Sequence, residues 1–536
     1  MFDTNFSLYQ ILPLSISGLI LILSIIFFFS KKEKIAVFFL FLGAIGIGFF
    51  SASLNEFLSI WDEQFHALVA KNMTLDPFFP KLFPDNILPY DYKNWAGNYI
   101  WLHKQPLFLW QIALSIKIFG TTELAVRIPS ILLHAIIPLF VFRIGQITIN
   151  KNVGFIAAIL ITVAYFPLEL INGRYATDHN DIAFLFYVTG SFWAWFEYNK
   201  SKKIKYLILI GLFSGSAVLV KWLMGLIVYV IWSITNCMHH RLNFFNKQHL
   251  YPIIKSFLIS LLIFLPWQIY IHTNFPREAS YELALNGRHF FEAIEGHSGG
   301  FNYHFKEGLQ TLYGSGDAIP FLIIIGLIII IQKSNEIKQR LFILIAIIFT
   351  YLFFSIAETK MIGFTIIMMP FVYLGLSALI YYTIYFIAHK LEKKFISSIM
   401  NPSLTILFAF IALNMNSIEK NHSNSDKTNY WQSKKLEKNL ILNLNKKLKH
   451  EQYFIFNCNL NFFNYYSPYS NIPIMFYTNH IAYLNIPSEE EIKILKNMDK
   501  KIAIFKLGKL PRYIMEDKTI QKINVEDNYF QLKSKE

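Results

Sequence analysis

The residues best suited to chemistry in this chain are two acidic motifs and a small set of cations. Trp61-Asp62-Glu63 follows an apolar run that ends near Phe50, and Arg174-Tyr-Ala-Thr-Asp178-His-Asn-Asp181 joins two other apolar runs. Carboxylates at the rim of a membrane bundle are costly to desolvate and are retained for proton abstraction, ligand binding or ion coupling. The matching cations are Lys104, in His103-Lys104-Gln105-Pro106, then Lys221, Arg288, and Lys360 in Glu358-Thr359-Lys360; His297 and His304 share a loop with Arg288. Such cations hold anionic groups such as phosphate and stabilise charge developing on a leaving group. Each also has an ordinary explanation: a carboxylate solvated at an interface, a lysine reaching for headgroups, a loop histidine that packs.

The elements that must position these residues are apolar helices. The chain has 536 residues, 54% hydrophobic and 17% aromatic, with only 16% charged. A soluble domain carries roughly 25% charge, so the composition predicts a polytopic α-helical membrane protein. The net charge of +14 does not point to nucleic acid, because the basic residues cluster in short loops between apolar runs, as the positive-inside rule requires. Cys237 and Cys458 lie far apart and offer neither a disulfide framework nor metal-ligand spacing.

Apolar runs fall at Gln10 to Ser30, Ile35 to Ser51, Val126 to Ile147, Val153 to Ile171, Asp181 to Tyr198, Tyr206 to Val220, Trp222 to Asn236, Ile253 to Ile271, Ala318 to Ile331, Leu341 to Ile356, Met361 to Ala388 and Ile399 to Asn414. Against the ~20 residues needed to cross a bilayer, these make about twelve spans. The first is followed at once by Lys31-Lys32-Glu33-Lys34 and a second run, so it reads as a retained span and not a cleaved signal.

Six short basic loops, around Lys31, Arg143, Lys200, His239, Lys333 and Lys390, are expected to be cytoplasmic. Parity then puts Asp62, Lys104, Asp178, Arg288, Lys360 and everything after Asn416 on the outer face. It also requires a tight reversal near Lys221, since one long helix over Tyr206 to Asn236 would carry the later basic loops outside. The first outer loop, 53–125, contains a Pro-, Asn- and Tyr-rich stretch from Asp76 to Tyr99 and a short apolar segment, Pro106 to Phe119, expected to lie along the interface. A third outer loop covers 274–317.

After Asn416 the composition changes, which divides the chain into a membrane domain, 1–416, and a small outer α/β domain, 417–536. Ser417 to Lys435 reads as a polar linker. Tyr453-Phe-Ile-Phe-Asn457, Ile472-Pro-Ile-Met-Phe-Tyr477 and Lys501-Ile-Ala-Ile-Phe-Lys506 read as strands, and Ser488 to Met498 as a helix opened by a capping box. Neither a P-loop nor a dinucleotide fingerprint occurs.

The order of these motifs resembles the GT-C membrane glycosyltransferases, in the superfamily that joins bacterial aminoarabinose (lipid A) transferases with protein O-mannosyltransferases. The resemblance runs from about Ser53 to Leu379. It is carried by Trp61-Asp62-Glu63, Lys104-Gln-Pro106-Leu with Trp110, Phe119-Gly120-x-x-Glu123-x-x-x-Arg127-x-Pro129-Ser130, and Arg174 to Asp178; Gly211 to Lys221 and Glu358-Thr359-Lys360 add to it.

The resemblance implies transfer of a sugar from a polyprenyl phosphate, such as undecaprenyl phosphate, to a lipid A, protein or glycan acceptor. The reaction would occur at the outer face of a bacterial inner membrane. It implies Asp62 and Asp178 as the acidic residues of the cavity and Lys104 as a contact to the carrier phosphate. Because a phosphate leaving group needs cations, Arg288 and Lys360 are further candidates on chemical grounds. Arg127 would orient the first loop by ion pairing; Glu63, Arg174, Lys221, His103 and His297 are supporting candidates. The family often reads Lys-Pro-Pro where this chain has Lys104-Gln105-Pro106, and its aminoarabinose branch places an acidic residue where this chain has His103. No metal ligands are therefore assigned, and a divalent cation is left open as the one cofactor. Two other readings stand beside the transferase: a transporter or lipid flippase using Asp62, Asp178 and Lys221, and a ligase that moves whole lipid-linked glycans.

Overall fold

The computed structural model describes residues 6–174, 179–240, 246–314, 316–392, 394–422, 429–448, 451–462, 465–466 and 469–524. All twelve apolar runs are helical. In chain order the helices are α1 (Leu8–Phe29), α2 (Glu33–Ala52), α3 (Asp62–Met73), α4 (Pro106–Phe119), α5 (Glu123–Thr148), α6 (Lys151–Thr162), α7 (Tyr165–Ile171), α8 (Asp181–Ser201), α9 (Ile204–Lys221), α10 (Ile227–His240), α11 (Lys247–Asn274), α12 (Pro276–Arg288), α13 (Leu309–Tyr313), α14 (Ile319–Lys333), α15 (Ile337–Ile356), α16 (Met369–Lys390), α17 (Lys394–Leu413) and α18 (Met415–Asn421). Among the described residues, eight helices are long and apolar enough to cross a membrane, or nine if α6 and α7, bent by 43°, form one span.

That count takes Ile204–His240 as one segment, yet the chain reverses within it. Trp222 adopts φ 53° and ψ −158° directly after Lys221. The Ser214 hydroxyl then donates to the Gly225 carbonyl at 2.7 Å, which brings the returning chain back alongside α9. Tyr229 on α10 meets the hydroxyls of Ser256 and Ser260 on α11, at 2.9 and 2.6 Å, and Ser260 donates to the Gly211 carbonyl of α9 at 3.0 Å. The reversal falls where the parity of the basic loops requires one.

The chain divides into two compact units. One comprises Met1–Leu54, Lys104–Phe108 and Pro129–Glu419, and the other Asn55–His103, Leu109–Ile128 and Lys420–Glu536. The first is the apolar bundle. Between apolar helices in lipid there is little hydrophobic drive to associate, so close packing at small residues carries the contacts. Helices α14 and α16 meet at Gly326 and Gly375: a Cβ added at Gly326 would lie 2.6 Å from the Gly375 carbonyl carbon.

The second unit contains the first loop and the C-terminal region. Its sheet has strands β1 (Tyr453–Phe456), β4 (Ile481–Ala482), β5 (Lys501–Phe505) and β6 (Gln521–Ile523) in the order β4-β1-β5-β6, all parallel, with β2 (Asn461–Phe462) and β3 (Tyr465–Tyr466) as a separate antiparallel ribbon. Phe454 is opposite Ile481 on one side and Ile502 on the other. Helices α19 (Asn429–Lys447), α20 (Asn471–Tyr477), α21 (Glu489–Asn497) and α22 (Arg512–Glu516) complete the unit. Ser488 and Glu491 form the expected capping box of α21.

Two expectations are corrected here. Ile472 to Tyr477, read as a strand, is helix α20, because β1 and β4 are parallel and must be joined by a crossover. Its residues 471–476 are buried on every side, so their apolar run carried no period to distinguish helix from strand. The stretch Ser417 to Lys435, read as a linker, belongs where described mainly to α18 and α19. The apolar stripe of α19, Leu440, Ile441 and Leu444, lies beyond the polar residues that suggested a linker.

Gly326→Ala is expected to destabilise the bundle by about 1–3 kcal/mol, since backbone must shift to admit the methyl. Gly18→Ala, with nothing within 4 Å of the new Cβ, is the control. Thermal unfolding of both variants in detergent, compared with the parent, checks this.

Candidate functional site

The segment that presents Asp62 is built around a buried cation. Arg127, near the start of α5, directs Nε to Glu63 Oε1 at 2.7 Å and Nη2 to Glu63 Oε2 at 3.2 Å. The same guanidinium donates to the carbonyls of Asn55 at 2.5 Å and Phe57 at 2.8 Å. Both side chains of the pair have zero exposure. The Ser59 amide closes the set by donating to Glu63 Oε2 at 2.6 Å. One planar fork thus satisfies a carboxylate and two loop carbonyls together, a geometry that a lysine could not reproduce. Burial drives the Glu63 carboxyl upward, opposed by Arg127 and the Ser59 amide.

The loop is held from the C-terminal region as well. The Tyr477 hydroxyl accepts from the Leu58 amide at 3.1 Å and donates to Glu123 Oε1 at 2.6 Å. Lys438 pairs with the same Glu123 oxygen at 2.6 Å and donates to the Glu56 carbonyl at 2.5 Å. The Tyr430 hydroxyl receives the Ile60 amide at 3.4 Å. Burial first, and then the Glu123 carboxylate, place the Tyr477 phenol well above its ordinary range, so it stays a hydroxyl able to donate.

Asp62 opens α3 with its side chain buried, 5% exposed, where the positive end of the helix dipole favours a carboxylate. Trp61, just before it, has φ 63° and ψ −131°, a strained backbone for a residue with a side chain. Its ring packs edge-on against Tyr469, at 5.6 Å. At the far end of α3, the Lys71 ammonium donates to the carbonyls of Met475, Phe476 and Thr478 at 2.7, 2.9 and 2.7 Å, closing the C-terminus of α20. Burial lowers the Lys71 pKa to about 8.

The remaining sequence-derived candidates occupy several places. Asp178 lies outside the described residues. His103 stacks on Trp95 at 4.8 Å in the second unit. Lys104 lies in the first unit, where Gln105 accepts from Gln268 of α11 at 2.8 Å and Pro106 opens α4. The glutamine that departs from the Lys-Pro-Pro pattern therefore anchors this turn by its side chain. Arg174 pairs with Glu169 at 3.2 Å, and Lys221 with Asp181.

Arg288 pairs with Glu292 at 2.6 Å with both side chains about half exposed. Lys360 is buried, and its ammonium donates to the carbonyls of Phe354, Ser355 and Ala357 at the end of α15. The backbone of Glu358-Thr359-Lys360 also donates to the carbonyls of Phe290, His289 and His297, at 3.1, 3.1 and 3.0 Å, tying this turn to the third loop. Burial and then the Lys360 charge lower the His304 pKa to about 4. Among the described residues no group of three or more His, Cys, Asp or Glu could hold a metal ion. The residues that sequence reasoning missed are Lys71, Tyr430, Lys438 and Tyr477; each acts through backbone groups far away in the chain, for which no local pattern exists.

Comparison with known proteins adds to this geometry. Residues 103–270 match the family described as dolichyl-phosphate-mannose-protein mannosyltransferase. An uncharacterised protein of Aquifex aeolicus is 30% identical over 174 residues, so the match spans only 32% of this chain and 32% of that relative. The crystal structure of ArnT from Cupriavidus metallidurans bound to undecaprenyl phosphate is similar with a TM-score of 0.61 at 12% identity, over 92% of this chain and 90% of that one. The archaeal oligosaccharyltransferase AglB from Archaeoglobus fulgidus, in complex with an inhibitory peptide and a dolichol-phosphate, is similar with a TM-score of 0.52 at 12% identity, over 88% of this chain and 69% of that one.

Arg127→Met is expected to cost about 3–5 kcal/mol, because it strands a buried carboxylate at Glu63. Adding Glu63→Gln should recover part of that loss by removing the unpaired charge. Thermal unfolding of the single and double variants in detergent checks this, and equal losses in the two would show that charge pairing is not what holds the loop.

Proposed function

We propose, from the chain's resemblance to the GT-C glycosyltransferases in sequence motifs and in fold, that it transfers a sugar from a polyprenyl phosphate carrier to an acceptor at the outer face of a bacterial inner membrane. The observation that carries this reading is Asp62: a buried carboxylate at the start of α3, on a loop braced at nearly every residue from Asn55 to Glu63. Rigid placement of this kind is what a general base needs, since proton transfer depends on position before pKa.

In the proposed reaction an acceptor hydroxyl attacks the anomeric carbon while the bond from that carbon to the carrier phosphate oxygen breaks. Asp62 takes the hydroxyl proton. The electron pair leaves on the phosphate, whose growing negative charge is met by Lys104. A single displacement of this form inverts the anomeric configuration. With a phosphate oxygen as acceptor there is no proton to remove, and Asp62 instead orients the acceptor or stabilises positive charge on the sugar. Asp178 is the second acidic residue in this scheme. Arg127 and Glu63 act as positioning residues for the loop. The 417–536 region, with Tyr477 and Lys438, braces the same loop in addition to any contact with acceptor.

The test is single-turnover release of undecaprenyl phosphate from a panel of undecaprenyl-phosphate-linked monosaccharides by purified protein. Asp62→Asn is expected to slow release by about 10²–10⁴-fold with unchanged thermal unfolding. Wild-type turnover in that variant would remove Asp62 from the reaction. Lys104→Ala is expected to raise the donor concentration needed for half-maximal rate, and an unchanged donor dependence would count against the phosphate contact.

A further inference from the structure

The second unit contains a cleft of about 340 Å³ between the 83–99 stretch and the segment that follows β4. This lies within the roughly 300–1,000 Å³ of small-molecule sites. Its apolar surface comes from aromatic rings together with Leu88, Pro89, Ala96 and Leu484. Tyr90 and Tyr99 lie 6.0 Å apart, and Tyr483 is stacked between Phe83 and Phe456, at 5.1 Å from each. The polar surface is acidic and amide-bearing: Asp85, Asp91 and Glu491, with Asn86, Asn471 and Asn485. No lysine or arginine is among the described lining residues.

Asn471 is the most telling of these. It is only 2% exposed, it lines the cleft, and its Oδ1 has no hydrogen-bond partner among the described residues. A buried acceptor left unmatched is destabilising unless water or a ligand supplies the donor. Carboxylates and amide oxygens beside it add further acceptors, so the fitting ligand is rich in hydroxyl or amino donors. Three carboxylates with no compensating cation repel phosphates and other anions. Ring faces suit the C–H faces of a sugar. An extended peptide would need free backbone partners, but here the Tyr483 amide donates to Ile455, and the Tyr483 and Asn485 carbonyls receive Cys458 and Asn457.

The cleft also communicates with the candidate catalytic loop. Tyr469 lines it and packs against Trp61 at 5.6 Å and Phe65 at 5.4 Å, on either side of Asp62 in the chain. We propose that the cleft is an acceptor subsite for an uncharged or amine-bearing carbohydrate, whose hydroxyl donates to Asn471 Oδ1 and which is presented beside the Trp61-Asp62 turn. This rests on the sugar-transfer reading and narrows its acceptor to a glycan.

The experiment uses full-length protein in labelled nanodiscs on an array carrying neutral, amino-bearing, uronic and phosphorylated glycans, lipid A, and Ser/Thr-containing peptides. Binding is expected only to neutral or amino-bearing glycans. It should weaken by about tenfold or more in Asn471→Leu and, independently, in Tyr90→Ala at the exposed rim. Absence of glycan binding, preference for anionic glycans, lipid A or peptides, or binding unchanged in both variants overturns the inference. Carrier-phosphate release measured on the same samples keeps the two readings apart. Release without glycan binding removes the cleft and leaves the transferase, whereas glycan binding at the cleft without release does the reverse.

Discussion

The buried pair of Arg127 and Glu63 is the interaction on which the candidate site depends. Two opposite charges out of water are costly unless every polar atom is matched, and here the guanidinium serves two carboxylate oxygens and the Asn55 and Phe57 carbonyls, while Ser59 adds its amide. Replacing such a pair by apolar residues need not cost stability, but it would lose the loop geometry. Glu63 is therefore structural, and Asp62 carries the proposed chemistry. The first turn of α3 thus carries both the carboxylate that pairs with Arg127 and the one proposed to act in transfer.

Cations elsewhere in the chain show a common economy. Lys71 and Lys360 each spend an ammonium on three carbonyls at a helix end, and Lys438 joins a carboxylate to a loop carbonyl. The last carbonyls of a helix lack intrahelical partners, and a point charge with three donors on a flexible stem can satisfy several together. Lysines that look like phosphate contacts in sequence can thus be employed as caps. Lys104 differs in its setting: its turn is anchored by the Gln105 side chain and by the helix that starts at Pro106.

The apolar bundle and the second unit solve packing by different means. In the bundle, glycines bring backbones together at crossings such as Gly326 with Gly375, and serine hydroxyls mark the reversal at Lys221. In the second unit, a four-stranded parallel sheet, its crossover helices and stacked rings such as Phe83, Tyr483 and Phe456 form the core. Phe83 and Tyr483 of this stack also line the cleft, so the proposed glycan site uses surface that folding has already made rigid.

The sequence by itself determined the helical membrane class, the twelve apolar runs, the reversal near Lys221 and the capping box of α21, because hydropathy, charge bias and capping are local properties. It also brought forward Asp62, Lys104 and Arg127, through motif order. It misread Ile472 to Tyr477, where uniform burial erased the period, and Ser417 to Lys435, where polar residues preceded the apolar stripe of α19. Only the tertiary structure decided that Glu63 receives Arg127, that Lys360 caps a helix, and that Tyr477 and Lys438 brace a loop 419 and 382 residues away. These outcomes turn on backbone carbonyls and amides that every residue carries, so no residue type announces them until folding brings the partners within hydrogen-bonding distance.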